Sequence, residues 1–344
     1  MPNRIILVGS ALLALAAALL PQSAFAAGDL VVYCAVQEEW CRAMVNAFQR
    51  ETGITVAMTR RSSGETYAQI KAEASNPRGD IWWGGTGDPH MQAAEEGLTI
   101  EYRSPNLAQL HDWAVRQWQQ SKGRAVGVYA GALGYGFNTD LMKKTGGPEP
   151  TCWADLLDPR FKDEVQVADP NSSGTSYTML ATMIQLMGEE KGFDYLKKLH
   201  RNINQYTKSG AAPAKATSLG ETMIGITFQH DMVTFIVDGA PIKVVSPCEG
   251  TGYEIGSMSL IKGARNLENA KKWYDWALTA PAQALAAEAK AYQVPSNKDA
   301  KPPPQAPDFS KIKFIDYDFA KYGSSAERTR LLAKWDSEVK SLPR

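Results

Sequence analysis

Three short loops rich in serine, threonine and glycine carry the chemistry of this sequence: Ser62-Ser63-Gly64, Gly84-Gly85-Thr86-Gly87 and Ser172-Ser173-Gly174-Thr175. Each follows a β-prone run and precedes a helical pattern, so its hydroxyls and free backbone N–H groups lie at the positive end of a helix. Such a loop can hold a phosphate, sulfate or carboxylate. One loop of this kind is equally typical of an ordinary helix cap, whereas three in one chain favour a shared anion site.

A second group of polar residues follows the β-prone run at 224–227. His230 and Asp231 are adjacent there. Because a carboxylate accepts hydrogen bonds and an imidazole can donate or accept, the pair suits sugar hydroxyls, with a structural salt bridge as the alternative. Glu249 and Glu254 follow, and each is either a cleft acid that binds hydroxyl groups or a hinge residue.

Two further candidates flank these segments. Arg61, preceded by Arg60, lies just before the first serine loop, where a guanidinium would pair with phosphate oxygens unless it is simply solvated. Gln37, which follows the first β-prone run, is the last candidate ligand-binding residue. The sequence contains no G-x-S-x-G, H-E-x-x-H or P-loop pattern, and its four histidines have no local triad partners. We therefore predict no enzyme, metal site or cofactor.

The N-terminus has the pattern of an export signal. Arg4 precedes an apolar run from Ile5 to Leu20, and Ala24-Phe25-Ala26 offers the small-x-small pattern that signal peptidase recognises. We predict a signal peptide over residues 1–26, cleaved near Ala26. The apolar run is shorter than the roughly 20 residues of a membrane span, and the residue directly after the cleavage point is not the cysteine that a lipid anchor requires. A soluble periplasmic protein is therefore expected.

The net charge and the length of the chain restrict the class of protein further. The chain has 37 basic and 37 acidic side chains, and removal of residues 1–26 takes away Arg4 and no acid. A nearly neutral protein gives no indication of binding nucleic acid or an anionic membrane. The remainder of the 344-residue chain is longer than one hydrophobic core usually serves, so we expect two lobes.

The four cysteines are even in number, as expected for disulfides in an oxidising compartment. Three pairings are formally open. We favour Cys34 with Cys41, because the first ends a predicted strand and the second lies in the first turns of the next helix, and then Cys152 with Cys248 by elimination. No pair has the spacing usual in zinc sites.

Strand and helix patterns alternate from residue 30 onward, which predicts an α/β layer with a mostly parallel sheet. The Gly/aromatic-rich segment 125–138 suits a crossing between lobes, and 253–261 suits the return crossing. Asp88 is expected to cap a helix with Pro89 at its first position. One helix is expected from Leu267 to about Tyr292, and a surface helix over the last 20 or so residues.

Several longer segments resemble known proteins: VVYCAVQEEWCRAMVNAFQRETGI, RRSSGETYAQIKAEASNPRGDIWWGGTGDPHMQAAEEGL, GYGFNTDLM, FQHDMV and SPCEGTGYEIGSMSLIKGA. They are similar to periplasmic substrate-binding proteins of ABC importers, in the branch of ferric-ion binders and AfuA-type hexose-phosphate receptors. The resemblance covers nearly the whole mature chain. It implies a two-lobed, class II-like α/β fold in which β crossings join the lobes and a ligand binds in the cleft between them.

The resemblance also suggests roles for particular residues. Ferric binders of this branch use two adjacent tyrosines, and this sequence has no Tyr-Tyr pair, which favours the sugar-phosphate side. In AfuA-type receptors an adjacent His-Asp pair and a later Glu hold the sugar, which implies His230, Asp231 and, of the two acids, Glu249. By loop position, the phosphate donors would be Ser62, Ser63, Gly64, Thr86, Ser173, Gly174 and Thr175.

These observations together predict a monomeric periplasmic receptor. It would bind a phosphorylated small molecule, in particular a hexose phosphate, and deliver it to the membrane permease of an ABC importer. We place the first lobe at 27–126 plus 257–300 and the second at 127–256 plus 301–344. A ferric-iron, phosphonate or other organophosphate receptor of the same fold is the alternative. A secreted phosphoester hydrolase and a sensory partner of a membrane kinase are more distant ones.

Overall fold

The computed structural model describes residues 29–343. The predicted signal peptide and its cleavage point lie outside these residues. Within them, none of the helices combines the length and the apolar character that crossing a bilayer requires.

The chain alternates strands and helices up to the first crossing, and again beyond it. The elements of the first part are β1 (Leu30–Cys34), α1 (Glu38–Thr52), β2 (Val56–Arg60), α2 (Ser63–Ala72), β3 (Ile81–Thr86), α3 (Gly87–Glu95), β4 (Thr99–Ile100), α4 (Asp112–Gln120) and β5 (Val126–Asn138). The second part contains α5 (Thr139–Thr145), β6 (Val165–Ala168), α6 (Gly174–Met187), α7 (Glu189–His200), β7 (Ile203–Thr207), α8 (Ala212–Leu219), β8 (Ile224–Phe228), α9 (Gln229–Val237) and β9 (Ile242–Val245).

The return crossing and the C-terminal region follow. Their elements are β10 (Tyr253–Ile261), α10 (Leu267–Ala277), α11 (Ala280–Glu288), β11 (Val294–Pro295), α12 (Phe319–Tyr322) and α13 (Ser325–Trp335). Short 3₁₀ helices lie at Pro105–Gln109, Ala154–Leu157, Pro159–Phe161 and Phe309–Lys311, and a π-helical turn at Asp336–Lys340 extends α13.

The strands form two parallel groups joined by the two crossing strands. In the first group β1 lies between β2 and β3, parallel to both. In the second group β6 lies between β7 and β8, again parallel to both. The 13-residue β5 pairs through its first half with β10 and through its second half with β8 and β9. The α/β class and the two predicted crossings are therefore confirmed.

Two large hydrophobic cores lie on either side of the crossings. One contains buried side chains of β1, α1, β3 and α10, including Phe48 and Trp273. The other contains side chains of α6, α7 and β8 and also of the C-terminal segment, including Tyr177 and Trp335. We refer to the surrounding structures as the first and second lobes; the residue boundaries stated above remain a prediction.

The favoured disulfide pairing is confirmed. Cys34 is bonded to Cys41 and Cys152 to Cys248, so all four cysteines are paired within residues 29–343. The first bond ties the end of β1 to α1, and the second joins the loop after α5 to the segment that leads into β10.

Two local predictions are wrong. Thr86, not Asp88, is the N-cap of α3, so that Gly87 is the first helical residue. The long helix expected from Leu267 is two helices, because Thr279 caps a new helix with Pro281 in its first turn. The expected surface helix is α13, and its inner face buries Arg328, Leu331 and Trp335.

Candidate ligand-binding site

Six helices begin at one cavity between the lobes. Their N-cap residues all line it: Gln37 of α1, Ser62 of α2, Thr86 of α3, Ser173 of α6, Ala211 of α8 and Phe228 of α9. The cavity measures about 410 Å³, including the part open to solvent. Each helix start brings unpaired N–H groups and a partial positive charge, so the cavity is strongly suited to an anion.

This convergence follows from the sheet topology. The parallel strands β1, β2 and β3 lead into α1, α2 and α3, and the parallel strands β6, β7 and β8 lead into α6, α8 and α9. The carboxyl ends of parallel strands share one edge of a sheet, where ligands bind in open α/β folds. The crossing strands place the two edges face to face.

The three serine and glycine loops meet inside this cavity. The Thr86 amide donates to Ser63 Oγ at 3.1 Å, which joins α3 to α2. A β-carbon on Gly174 would lie 1.8 Å from Thr86 Oγ1, so only glycine fits there. Thr86 Oγ1 itself is buried without a hydrogen-bond partner among residues 29–343. A buried hydroxyl of this kind is available to a ligand.

The lobes also contact each other directly around the cavity. Gln37 Nε2 donates to Asp231 Oδ1 at 2.5 Å, and Arg60 Nη2 lies 3.4 Å from Ser209 Oγ. Ser62 Oγ donates to the Lys208 carbonyl at 3.1 Å. These bonds connect the first lobe to the second, so the structure is a closed arrangement of the cleft.

His230 and Asp231 lie side by side on the cavity wall, in the first turn of α9. Asp231 accepts from Thr227 Oγ1 at 2.7 Å as well as from Gln37. His230 Nε2 is 3.8 Å from a carboxylate oxygen of Asp231 and 3.8 Å from one of Glu254. Neither distance is that of a hydrogen bond, and Nδ1, which lies against the backbone of Gly131, has no hydrogen-bond partner within residues 29–343.

The two glutamates have different positions. Glu254 is 3% exposed and lines the cavity. Glu249 does not: its carboxylate accepts from the backbone N–H groups of Trp153 and Ala154 at 2.8 and 2.9 Å, beside the Cys152–Cys248 bond. The structure thus places Glu254, not the preferred Glu249, beside His230, because β10 carries its side chain into the cleft.

Burial changes the protonation of this group. It raises the pKa of Glu254 well above its usual range, and the charges of Asp231 and Asp88 raise it further. It lowers the pKa of His230, although the Asp231 charge acts in the opposite direction. Burial thus favours the neutral imidazole and the protonated Glu254 carboxyl, and a protonated carboxyl can donate a hydrogen bond.

Gly131 makes room for this polar group on the crossing strand. It pairs with Glu254 across β5 and β10, and a β-carbon there would lie 2.5 Å from His230 Cε1 and 3.0 Å from Glu254 Oε1. The glycine-rich composition of the crossing thus allows two polar side chains to lie against its backbone.

Besides Glu249, two proposed residues lie outside the cavity wall. Arg61 is exposed, and its neighbour Arg60 lines the cavity instead. Gly64 is buried at the lobe contact, where its amide donates to the Ser172 carbonyl at 3.0 Å. The other candidate positions, including Ser62, Ser63, Thr175 and Gln37, all line the cavity.

The cavity also contains residues that the sequence analysis did not identify. Tyr129 accepts a hydrogen bond from the Gly85 amide at 2.9 Å, and burial raises its pKa well above its usual range. Gln293 contacts Gln37, and its Oε1 has no hydrogen-bond partner in the described part of the chain. Neither residue follows a helix-start pattern, so no sequence signal marked it.

A metal site receives no support from the cysteines. Cys152, Cys248 and Glu249 are the one cluster within residues 29–343 whose ligand atoms lie within 4.8 Å of one another. Both sulfurs are in a disulfide, and a disulfide sulfur is not the thiolate that metals bind.

Comparison with known proteins agrees with this architecture. The profile of the family described as bacterial extracellular solute-binding protein matches residues 85–322. AfuA from Actinobacillus pleuropneumoniae, solved with fructose-6-phosphate bound, is 48% identical and superposes with a TM-score of 0.89 over 91% of this chain and 99% of that chain. The periplasmic binding protein P5PA is 42% identical, with a TM-score of 0.87 over 90% and 99% of the two chains.

A relative without an assigned function has similar length and sequence. It is an uncharacterized protein of Haemophilus influenzae, 46% identical over 341 residues, which span 98% of both chains. The family match and these relatives show that this chain belongs to the bacterial extracellular solute-binding proteins, as a periplasmic binding protein of the ABC-importer type and not an enzyme.

Proposed function

We propose that this protein binds a phosphorylated small molecule, in particular a hexose phosphate, and delivers it as a monomeric receptor to the permease of an ABC importer. The observation that carries the proposal is the meeting of six helix N-termini at one cavity. The lobes would close over the bound ligand and present it to the permease.

The charge of the cavity supports a phosphate group at one end. Arg60 is its one permanently cationic side chain among the described lining residues. Negative charge on a ligand would therefore be balanced mainly by backbone N–H groups and helix dipoles, which bind phosphate without long cationic side chains. Ser63, Thr86 and Ser173 add hydroxyls at the same helix starts.

A second group of lining residues supports a polyhydroxylated group. His230 offers an imidazole, Asp231 offers carboxylate oxygens, and burial favours the protonated form of the Glu254 carboxyl. This mixture of donors and acceptors suits hydroxyls, because each hydroxyl both donates and accepts. The 48% identity to AfuA, which was solved with fructose-6-phosphate, supports a sugar phosphate over other phosphate compounds.

Calorimetry tests this proposal. The protein is unfolded and refolded to remove carried ligand, and is then titrated with fructose 6-phosphate, glucose 6-phosphate, free fructose and inorganic phosphate. We expect at least one hexose phosphate to bind about 100-fold or more tightly than free fructose, a difference of about 3 kcal/mol. Equal affinity for free fructose would contradict the phosphate requirement.

Iron is the alternative ligand that the same preparation can test. Ferric ion prefers hard oxygen donors, and Tyr129 is the one tyrosine among the described residues that line the cavity. A red tyrosinate absorbance on adding Fe³⁺, without hexose phosphate binding, would favour an iron receptor.

A further inference from the structure

The C-terminal helix α13 packs against α3 and contacts both lobes. At its start, the Ser325 amide donates to Glu95 Oε2 at 2.6 Å, at the C-terminal end of α3. Further along, Leu331 and Trp335 are buried in the hydrophobic core of the second lobe. Helix α13 therefore contacts an element of each lobe.

Arg328 is the buried centre of this helix. It is 2% exposed, and its Nη1 donates to Gln92 Oε1 on α3 at 2.7 Å. Its guanidinium carbon also lies 5.0 Å from the ring of Tyr177 on α6 and 5.6 Å from the ring of Tyr67 on α2. A planar cation can contact two rings and an amide at once, which a lysine could not do.

The buried charge has a partner in the same region. The Asp88 carboxylate, in the first turn of α3, interacts electrostatically with Arg328 and accepts a hydrogen bond from Tyr317 at 3.3 Å. Nε and Nη2 of Arg328 have no hydrogen-bond acceptor in the described part of the chain. Burying a charge costs free energy unless its contacts compensate for the lost solvation.

The three helices that Arg328 contacts are the three whose N-termini carry the serine and glycine loops. Helices α2 and α3 belong to the first lobe and α6 to the second. We propose that Arg328 is a positioning residue, which fixes the starts of α2, α3 and α6 relative to one another when the lobes close. Its effect on affinity rests on the proposed function, whereas its effect on closure does not.

The test compares Arg328→Met with Arg330→Met. Arg330 is 46% exposed on the same helix and pairs with Glu189 and Glu327 at the surface, so it is the matched control. Affinity for fructose 6-phosphate and for inorganic phosphate is measured by calorimetry. Lobe separation is measured between spin labels at Asn46→Cys and Leu219→Cys, two exposed positions on α1 and α8.

We expect Arg328→Met to weaken the binding of both fructose 6-phosphate and inorganic phosphate at least tenfold. The distribution of distances between the spin labels should broaden with and without fructose 6-phosphate. Arg330→Met should resemble the parent protein, and Arg328→Lys should recover only part of the affinity, because an ammonium lacks the planar fork. The proposal is overturned if folded Arg328→Met keeps the affinity and the narrow distances of the control.

A second variant keeps the proposal testable if Arg328→Met does not fold. Asp88→Asn combined with Arg328→Met removes both buried charges, which is often tolerated, and the same broad distances are expected; narrow distances overturn the proposal. If the parent protein binds neither probe, the proposed function fails. The ligand-free distances then still decide whether Arg328 fixes the lobes.

Discussion

Gly174 on the second lobe lies against Thr86 on the first, so closely that a β-carbon at 174 would be 1.8 Å from Thr86 Oγ1. Gly174 is the first residue of α6, and Thr86 is the N-cap of α3. The contact therefore brings two helix N-termini from opposite lobes to the same point. It also requires glycine for steric reasons that apply only while the lobes are closed.

Gly174→Ala should therefore block closure without unfolding either lobe. We expect affinity for hexose phosphate and for inorganic phosphate to fall at least tenfold, or about 1.4 kcal/mol, in calorimetry. The melting temperature without ligand should stay unchanged. Adding Thr86→Gly, a substitution that an N-cap tolerates, should restore the closed radius of gyration in X-ray scattering. A Gly174→Ala protein that closes normally contradicts this interpretation.

Glu254 and Glu249 should respond differently to the same change. Glu254→Gln alters a cavity residue, so ligand affinity should fall while stability is kept. Glu249→Gln weakens the charge-assisted cap on Trp153 and Ala154, so it should cost roughly 1 kcal/mol of unfolding free energy and leave affinity intact. Urea unfolding and calorimetry on both variants give the comparison. The interpretation is wrong if Glu249→Gln is the one that loses ligand.

Asp231→Asn should separate the sugar end of the site from the phosphate end. Hydrogen bonds to a charged group contribute about 1.5–3 kcal/mol, so affinity for fructose 6-phosphate should fall roughly 10- to 150-fold. Inorganic phosphate should bind as before. Asp140→Asn, at an exposed carboxylate on α5, is the control. Equal losses for both ligands would mean that Asp231 acts on closure and not on the sugar.

His90 should set part of the acid sensitivity of folding. It is fully buried between Ser259 and the Gly84 carbonyl, and burial lowers its pKa to about 3. In the unfolded chain the pKa is about 6.5, so the stability from the neutral ring is present above about pH 6.5 and is lost as the pH falls towards 3. When the pH is lowered from 7 to 4, the free energy of unfolding of His90→Gln should therefore fall by about 3 kcal/mol less than that of the parent protein. Parallel stability curves would contradict this.

Much of the fold could be predicted because its signals are local in the sequence. Strand and helix patterns alternate along the chain, and serine and glycine loops mark the starts of α2, α3 and α6. The starts of α1, α8 and α9 could not be recognised in the same way, since their N-caps are Gln37, Ala211 and Phe228. Half of the helix starts at the cavity therefore carry no cap signature.

The remaining site residues depend on tertiary packing. Glu254 reaches the cavity because it lies opposite Gly131 on the crossing strands, a relationship that sequence spacing does not encode. Arg60 rather than Arg61 lines the cavity because Arg61 is turned to solvent. Tyr129 lies within a strand, where an aromatic residue usually indicates core packing.

The most direct test is the position of a bound phosphate in a crystal structure of the refolded protein with fructose 6-phosphate. We predict that its oxygens accept hydrogen bonds from backbone N–H groups at the starts of α2, α3 and α6, with the sugar beside His230 and Asp231. A phosphate bound instead at the outer mouth of the cleft, near Lys215 and Lys290, would contradict the account.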